Sequence, residues 1–427
     1  MGKKKVLIIL YYWPPAGGPG VQRWLKFVKY LPEFDIEPVV YCPENPSYPI
    51  IDESLVDEVP KNITILKQPI NEPYGLANLF SKKSSNKISS GVISKAKKQS
   101  FVEKLMLYVR GNFFIPDARK NWIKPSVKFL SNYIEKHKIE TIITTGPPHS
   151  LHLIGLRLKE KFDVKWLADF RDPWTTIGYH KALKLTASSK QKHNKLELEV
   201  LNTADEVIVT SNHTKQEFKT KTKQPITVIT NGYDTHSVRV EGKDEKFTFA
   251  HIGSLLSERN PNILWKTISE LITENESFSK AFQLNLIGVV SDDVVESIND
   301  NGLKEYLNVI GYVNHDEAVA FQQKSRVLLL IEIDSEDTKA IIPGKLFEYL
   351  VSETPILFIG PKDSDVEEII KKTNTGLSFN YTQKDELKTQ ILAWFKAFQK
   401  NNLEVNPVGL QPYSRKALTE KLSVLLK

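Results

Sequence analysis

In the stretch IIPGKLFEYLVSETPILFIG, Ile341–Gly360, a lysine and a glutamate stand three positions apart, Lys345 and Glu348. On a helix that spacing puts both on one face. Such a pair serves one of two ends. It is a surface ion pair, or it is a site where the cation meets a phosphate and the carboxylate meets a sugar diol. Pro343 suits a first helical turn, and Gly344 clears the side chain there. Backbone amides near Gly344 and Lys345 would then face an anion.

Two other stretches gather reactive side chains at the tips of short apolar runs. In TTGPPHSLHLIG, Thr144–Gly155, His149 follows a Gly-Pro-Pro strand end and His152 lies one helical turn later. His149 is the stronger candidate for chemistry; His152 reads as helix packing. In ADFRDPW, Ala168–Trp174, Asp169 and Asp172 flank Arg171. Three roles stay open for this D-x-x-D: a loop organised by Arg171, an acceptor-binding group or general base, and a metal site. No Cys/His set has zinc spacing, and the chain has one cysteine, Cys42, which reads as a small buried hydrophobe.

The first strand, VLIIL, runs almost directly into WPPAGGPG, with Gly17 and Gly18 at its centre, and then into an amphipathic helix. Permissive backbone at a strand tip lets amides approach a ligand closely, at a helix start that favours anions. The spacing is not G-x-G-x-x-G, and no acidic residue clearly closes the second strand, which disfavours a nicotinamide enzyme.

The elements that must hold these groups follow a strand–loop–helix rhythm. Strands are expected at Lys5–Leu10, Glu37–Tyr41, Ile63–Lys67, Thr141–Thr144, Lys165–Asp169, Glu206–Thr210 and Ile226–Ile229. After a joint at Asn231–Lys246 they restart at Phe247–Ile252, Leu284–Ile287, Leu307–Ile310, Val327–Ile333 and Ile356–Ile359. Helices are expected at Gly20–Leu31, Pro261–Leu271, Pro343–Ser352, Lys384–Lys400 and Ser414–Leu426. This is an α/β chain of two Rossmann-like, doubly wound parallel sheets facing a cleft. Residues 1–235 form the first domain, 245–405 the second, and 406–427 a final helix packing back across the joint. In such sheets ligands sit at the carboxyl ends of the strands, where the unusual loops fall.

At 427 residues the chain is long enough for two cores. MGKKKVLIIL does not read as a signal peptide, and no run is apolar enough for a membrane span. Lone Cys42 suits a reducing compartment, so a cytoplasmic location is expected. The net charge of +7 is compatible with anionic ligands or an anionic membrane surface. The excursion 80–110 contains SKKSSNKISSGVISKAKKQS, free of acid. It reads either as a solvated excursion or as a basic arm meeting anionic lipid, with Leu105, Met106, Leu107 and Phe113-Phe114 adding apolar contact. No aromatic-interleaved basic stripe points to nucleic acid.

FEYLVSETPIL resembles the signature of GT-B-fold glycosyltransferases, specifically the retaining enzymes of glycosyltransferase family 4. WPPAGGPGVQ resembles that family's N-terminal glycine loop, HIGSLLSERNP (His251–Pro261) its second-domain glycine–basic loop, and NGYD (Asn231–Asp234) its interdomain segment. ADFRDPW and IPDARKNW look like a bacterial branch concerned with cell-surface polysaccharides. The resemblance implies that Glu348 accepts from ribose hydroxyls and that Gly344 and Lys345 give backbone amides to a diphosphate. Arg259 would hold that diphosphate as it leaves, Gly253 and Ser254 would lie in the phosphate loop, and Gly311 and Tyr312 would meet the base. Gly17 and Gly18 would bring their loop against donor and acceptor, and His149 would stand beside the transferred sugar. Asp172, with Asp117, Arg119 and Trp122, would either line the acceptor side or support it.

Two positions depart from the pattern. Ser254 stands where the family offers an arginine, and Ala340 where it carries the glutamate that grips the sugar. Upstream acids Glu332, Asp334, Glu336 and Asp337 are candidates to compensate for the latter. The activity implied is transfer of a sugar from a nucleotide-diphosphate donor to a glycan or lipid-linked acceptor, with retention, without metal or other cofactor, and with peripheral membrane contact. The alternatives are a sugar-nucleotide epimerase of the same fold and an inactive scaffold of a polysaccharide assembly complex.

Overall fold

In the computed structural model the first strand, β1 (Lys4–Ile9), sends alternate side chains to opposite faces, and both faces are covered. Leu7 and Ile9 join one apolar layer with Ile142, Trp166 and Ala168. Val6 and Ile8 join another with Trp24, Val28 and Ile143. A run without polar alternation is what a parallel strand between two helix layers requires. The structure describes residues 3–72, 101–234 and 240–427.

The chain divides into two units, Met1–Asn231 with Arg415–Lys427, and Gly232–Ser414. In the first unit β1 is followed by β2 (Ile36–Pro43), β3 (Thr64–Gln68), β4 (Thr141–Gly146), β5 (Lys165–Phe170), β6 (Glu206–Val209) and β7 (Ile226–Val228). They form one parallel sheet in the order β3-β2-β1-β4-β5-β6-β7. Val6 of β1 lies opposite Thr141 of β4, and Ile9 opposite Thr144. The order reverses between β1 and β4, so the crevice that binds ligands in doubly wound sheets opens there, between the loops after Ile9 and after Gly146.

The helix Pro19–Tyr30 turns Val21, Trp24, Leu25 and Val28 inward. The terminal helix Arg415–Leu426 docks beside it through Leu418, Leu422 and Leu426, and Arg415 donates to Gln22 Oε1 at 2.9 Å. Of the basic excursion, residues 80–100 lie outside the described residues. Its end forms the helix Phe101–Phe113. Leu107 is buried there, while Leu105, Tyr108, Val109 and Phe113 are exposed.

The second unit repeats the plan with β8 (Phe247–Ile252), β9 (Phe282–Ile287), β10 (Leu307–Gly311), β11 (Val327–Ile331), β12 (Ile356–Ile359) and β13 (Gly376–Phe379). The order is β10-β9-β8-β11-β12-β13, with every pairing parallel. The reversal falls between β8 and β11. β13 has no counterpart among the expected strands, being four residues long at a sheet edge and only partly buried. The helix expected at Pro343–Ser352 is shorter, Lys345–Leu350, because Pro343 and Gly344 precede its first full turn.

Candidate active site

β8, β9 and β10 all run into glycines with φ in the left-handed region, Gly253 (110°), Gly288 (115°) and Gly311 (81°). Gly253 N–H donates to Ile287 O at 2.8 Å, and Gly288 N–H to Gly311 O at 2.6 Å. A side chain on Gly288 would stand 2.6 Å from the carbonyl oxygen of Gly253. Three adjacent strand ends are therefore stepped together as bare backbone, a ledge that only glycine permits. Tyr312, just beyond it, is 89% exposed.

Beside this ledge stand His251 and Lys345. Lys345 Nζ donates to Ile252 O at 3.0 Å and lies 3.1 Å from His251 Nε2. His251 Nδ1 lies 3.2 Å from Leu329 O, while Nε2 lies 3.4 Å from Ser254 O and near the lysine, so each ring nitrogen has a carbonyl acceptor beside it. Burial, and then Lys345, push the His251 pKa well below its ordinary value and keep the ring neutral. Burial first, and then the nearby Arg259, lower Lys345 to about 7. Burial and a neighbouring cation both disfavour the ammonium form, while nearby Glu332 opposes them.

Arg259 is held by Glu332 at the end of β11, with Nε 3.0 Å from Oε1 and Nη2 3.2 Å from Oε2. Glu332 is buried, and it also accepts from Ile333 N–H at 2.9 Å. Of the four acids considered as substitutes for the missing sugar-gripping glutamate, Glu332 is thus committed to orienting Arg259, and Glu336 pairs with Lys339 at 2.8 Å. Glu348 accepts from Gln322 Nε2 at 2.9 Å through one of its carboxylate oxygens. Lys345 and Glu348 each have another partner, so they are not the surface ion pair that their spacing alone allowed.

In the first unit, Gly17 and Gly18 lie in the loop after β1. Gly17 N–H donates to Ile50 O at 3.0 Å, and a side chain there would meet Ile50 Cγ2 at 2.9 Å. Gly18, with φ 102°, opens the helix Pro19–Tyr30. Asp169 at the end of β5 accepts from Arg23 Nη2 at 2.9 Å, Trp24 Nε1 at 2.9 Å and Thr145 Oγ1 at 2.7 Å. This buried hub fixes the helix start to the sheet. It corrects the expectation for ADFRDPW: Arg23, not Arg171, neutralises Asp169, and Asp169 has no capacity left for a metal or for base work. Arg171 instead donates to Pro147 O and lies over the ring of Tyr12.

His149 follows β4. Its ring stacks on Trp174 at 4.7 Å with an interplanar angle of 2°, and both ring nitrogens are buried without a hydrogen-bond partner. Burial first, then the neighbouring His152, holds its pKa well below the ordinary value, so the ring is neutral. Asp172 lies near Arg171, and burial raises its carboxyl pKa. Asp117 caps the helix Ser150–Lys159, accepting from Ser150 N–H at 2.8 Å and Ser150 Oγ at 2.7 Å. Arg119 pairs with buried Glu72 at 2.9 Å and donates to Tyr11 OH at 3.1 Å. Trp122 stacks on Tyr41 in the core at 5.0 Å. Asp117, Arg119 and Trp122 therefore brace the strand ends.

The second unit brings Gly253, Arg259 and Lys345 together, adds His251, Glu332, Gln322 and the ledge glycine Gly288, and places Ser254 exposed beside them. None of these additions was singled out for that role from sequence. His251 had a visible signal, a histidine two residues before a strand-end glycine. Among the described residues, no group of three His, Cys, Asp or Glu side chains is arranged to hold a metal ion.

Two doubly wound units with these switch-point sites have the GT-B architecture, and solved structures of that class superpose along nearly the whole chain. A glycosyltransferase from Rickettsia africae is 14% identical, with a TM-score of 0.58 over 100% of this chain and 98% of its own. S. aureus TarM, as a mutant complex with fondaparinux, α-GlcNAc-glycerol and UDP, is 13% identical, with a TM-score of 0.58 over 99% and 100%. A putative UDP-N-acetylglucosamine 2-epimerase from Listeria monocytogenes is 12% identical, with a TM-score of 0.54 over 100% and 96%. Residues 90–237 match the model of Glycosyltransferase Family 4. A search of curated proteins finds no match.

Proposed function

We propose that the protein transfers a sugar from a nucleotide-diphosphate donor to a glycan or lipid-linked acceptor with retention of anomeric configuration, in surface polysaccharide synthesis. The observation that carries this reading is the cluster at the strand ends around the β8/β11 reversal: a bare backbone ledge, Lys345 beside it, Arg259 held by the buried carboxylate of Glu332, and Glu348 held by Gln322. The diphosphate lies against Lys345 and Arg259, which stabilise its growing charge as it leaves. Glu348 accepts from the ribose hydroxyls, and Gly311 and Tyr312 meet the base. His149 stands beside the transferred sugar, where its backbone carbonyl or neutral ring stabilises positive charge at the anomeric carbon, and Asp172 faces the acceptor. The leaving diphosphate takes the acceptor's proton. Peripheral contact with anionic lipid through the helix Phe101–Phe113 fits a lipid-linked acceptor.

The test is incubation with UDP-, GDP-, ADP- and TDP-sugars, following release of nucleoside diphosphate and reading the anomer of the first-formed sugar by proton NMR. Release with the donor's own anomeric configuration is expected. Release with the opposite configuration contradicts retention. A donor returned with an inverted ring carbon supports the epimerase reading, which the Listeria likeness keeps in view.

A further inference from the structure

After β5 the chain runs through Arg171–Ile177 without regular structure, and this stretch holds Asp172 and Trp174. Its backbone is nevertheless pinned. Arg171 O accepts from Thr210 Oγ1 at 2.8 Å. Thr175 gives both its N–H and its hydroxyl to Glu197, at 3.1 and 2.8 Å. Thr176 Oγ1 donates to Glu217 at 2.9 Å. Lys221 Nζ ties the two carboxylates together, 2.9 Å from Glu197 and 2.6 Å from Glu217. Glu197 is buried, and a buried carboxylate persists when it is paired and hydrogen-bonded in this way.

Trp174 lies between these ties. Its indole is buried, and the one polar atom of the ring, Nε1, can only donate. The acceptor is His193 Nδ1 at 3.1 Å. His193 and Glu197 stand four positions apart on the helix Ala187–Thr203, so one helix face reaches both the indole and the backbone next to it. Because the indole is the donor, His193 Nδ1 is bare. Burial lowers the His193 pKa and so keeps that lone pair free. His180 backs the His193 ring edge to face, at 4.6 Å. The flat side of the Trp174 ring meets His149, 4.7 Å away and 2° from parallel.

We infer that His193 is a positioning residue: with the backbone on both sides of Trp174 fixed through Thr210 and Glu197, its bond to the indole sets the rotation of that ring, and so the place of the His149 stacked on it. This rests on the reading of His149 as a residue beside the transferred sugar. An indole free to turn lets His149 drift from the reacting carbon, which slows the reaction without loosening the donor. The groups assigned to the donor diphosphate and ribose, Arg259, Lys345 and Glu348, belong to the other unit.

The experiment is NMR of the full chain labelled at histidine and tryptophan, with the Trp174 indole and the His149 ring assigned from Trp174→Phe and His149→Gln. In the wild type the Trp174 Nε1–H should resonate downfield, as a donor to a ring nitrogen does, and the His149 ring protons upfield, as over a stacked indole. His193→Leu should move both signals together. His193→Asn, whose Oδ1 falls near the place of Nδ1, should restore both. Release of nucleoside diphosphate from a nucleotide sugar should fall about tenfold in kcat for His193→Leu, with KM changed less than about twofold, and should recover in His193→Asn. Trp174→Phe, which keeps a ring but no donor, should lose as much, and the double variant no more, because the two residues act as one unit. Should His193→Leu fail to fold, Trp174→Phe gives the same kinetic test. A His149 signal that stays put in His193→Leu, an indole signal indifferent to that change, or an unchanged kcat overturns the proposal. The spectra need no donor. If the signals behave as described and no nucleotide sugar is turned over, the transferase reading fails and the hold of His193 on the stack stands.

Discussion

At Lys345 a lysine is kept where burial and Arg259 disfavour its charge, and its pKa is lowered to about 7. At about pH 8 the empty site therefore holds mostly the neutral amine. A bound diphosphate favours the ammonium and raises that pKa, so binding takes up a proton, and affinity falls as pH rises above about 7, by up to tenfold per unit. Calorimetry with UDP in two buffers of different ionisation enthalpy should show this uptake, and Lys345→Met should abolish it. Proton uptake of zero in the wild type contradicts the placement of the anion at Lys345. Lys345 and Glu348 were both legible as a spaced pair. Their partners were not, because His251 and Gln322 lie far away in sequence and meet them only through the sheet. Likewise Asp169 read as half of an acidic pair, whereas its true partner, Arg23, enters from a helix 146 positions earlier.

The elements were more legible than their contacts. A fully apolar run such as VLIIL has one low-energy place, between two helix layers, and its length marks it as a strand. Strand tips carrying Gly or Pro then locate the ligand-facing edge. β13 escaped notice because Gly376–Phe379 is short and half-exposed, so neither periodicity nor burial marks it. At this scale the glycine ledge makes a sharp demand. Gly288→Ala puts a side chain at left-handed φ and 2.6 Å from the Gly253 carbonyl oxygen. It should destabilise the protein by roughly 1–3 kcal/mol, read by urea unfolding. Because relief requires the Gly253 loop to move, nucleotide affinity should weaken as well. Gly302→Ala, at a left-handed turn with open space around it, should lose stability without losing affinity. Equal affinity in both variants would mean that the ledge is structural only.

For the whole molecule, no helix among the described residues is long and apolar enough to cross a membrane. The helix Phe101–Phe113 nevertheless exposes Leu105, Tyr108, Val109 and Phe113, and Lys104 and Arg110 lie on the same helix. Cosedimentation with vesicles containing anionic lipid should be strong at low salt and fall as salt is added. Phe113→Glu should weaken it, while zwitterionic vesicles should not be bound. Binding indifferent to lipid charge would contradict the expected electrostatic contact. The two-unit plan was readable from the restart of strand–glycine–helix order near residue 247. The exact placement of the terminal helix beside the helix Pro19–Tyr30 depends on Leu418, Leu422 and Leu426 finding one face of a distant element.

The most direct measurement is thermal unfolding of the protein with UDP, GDP, ADP and TDP, without added metal, beside the Glu348→Ala variant. A ligand at about 100 times its Kd adds about 2.7 kcal/mol to the folded state, a rise of roughly 2–4 °C for a chain of this size or somewhat less. One nucleotide should raise the wild-type melting temperature and leave Glu348→Ala nearly unmoved. No rise with any of the four, in a cooperatively folded sample, would contradict a nucleotide-diphosphate site at the β8/β11 strand ends.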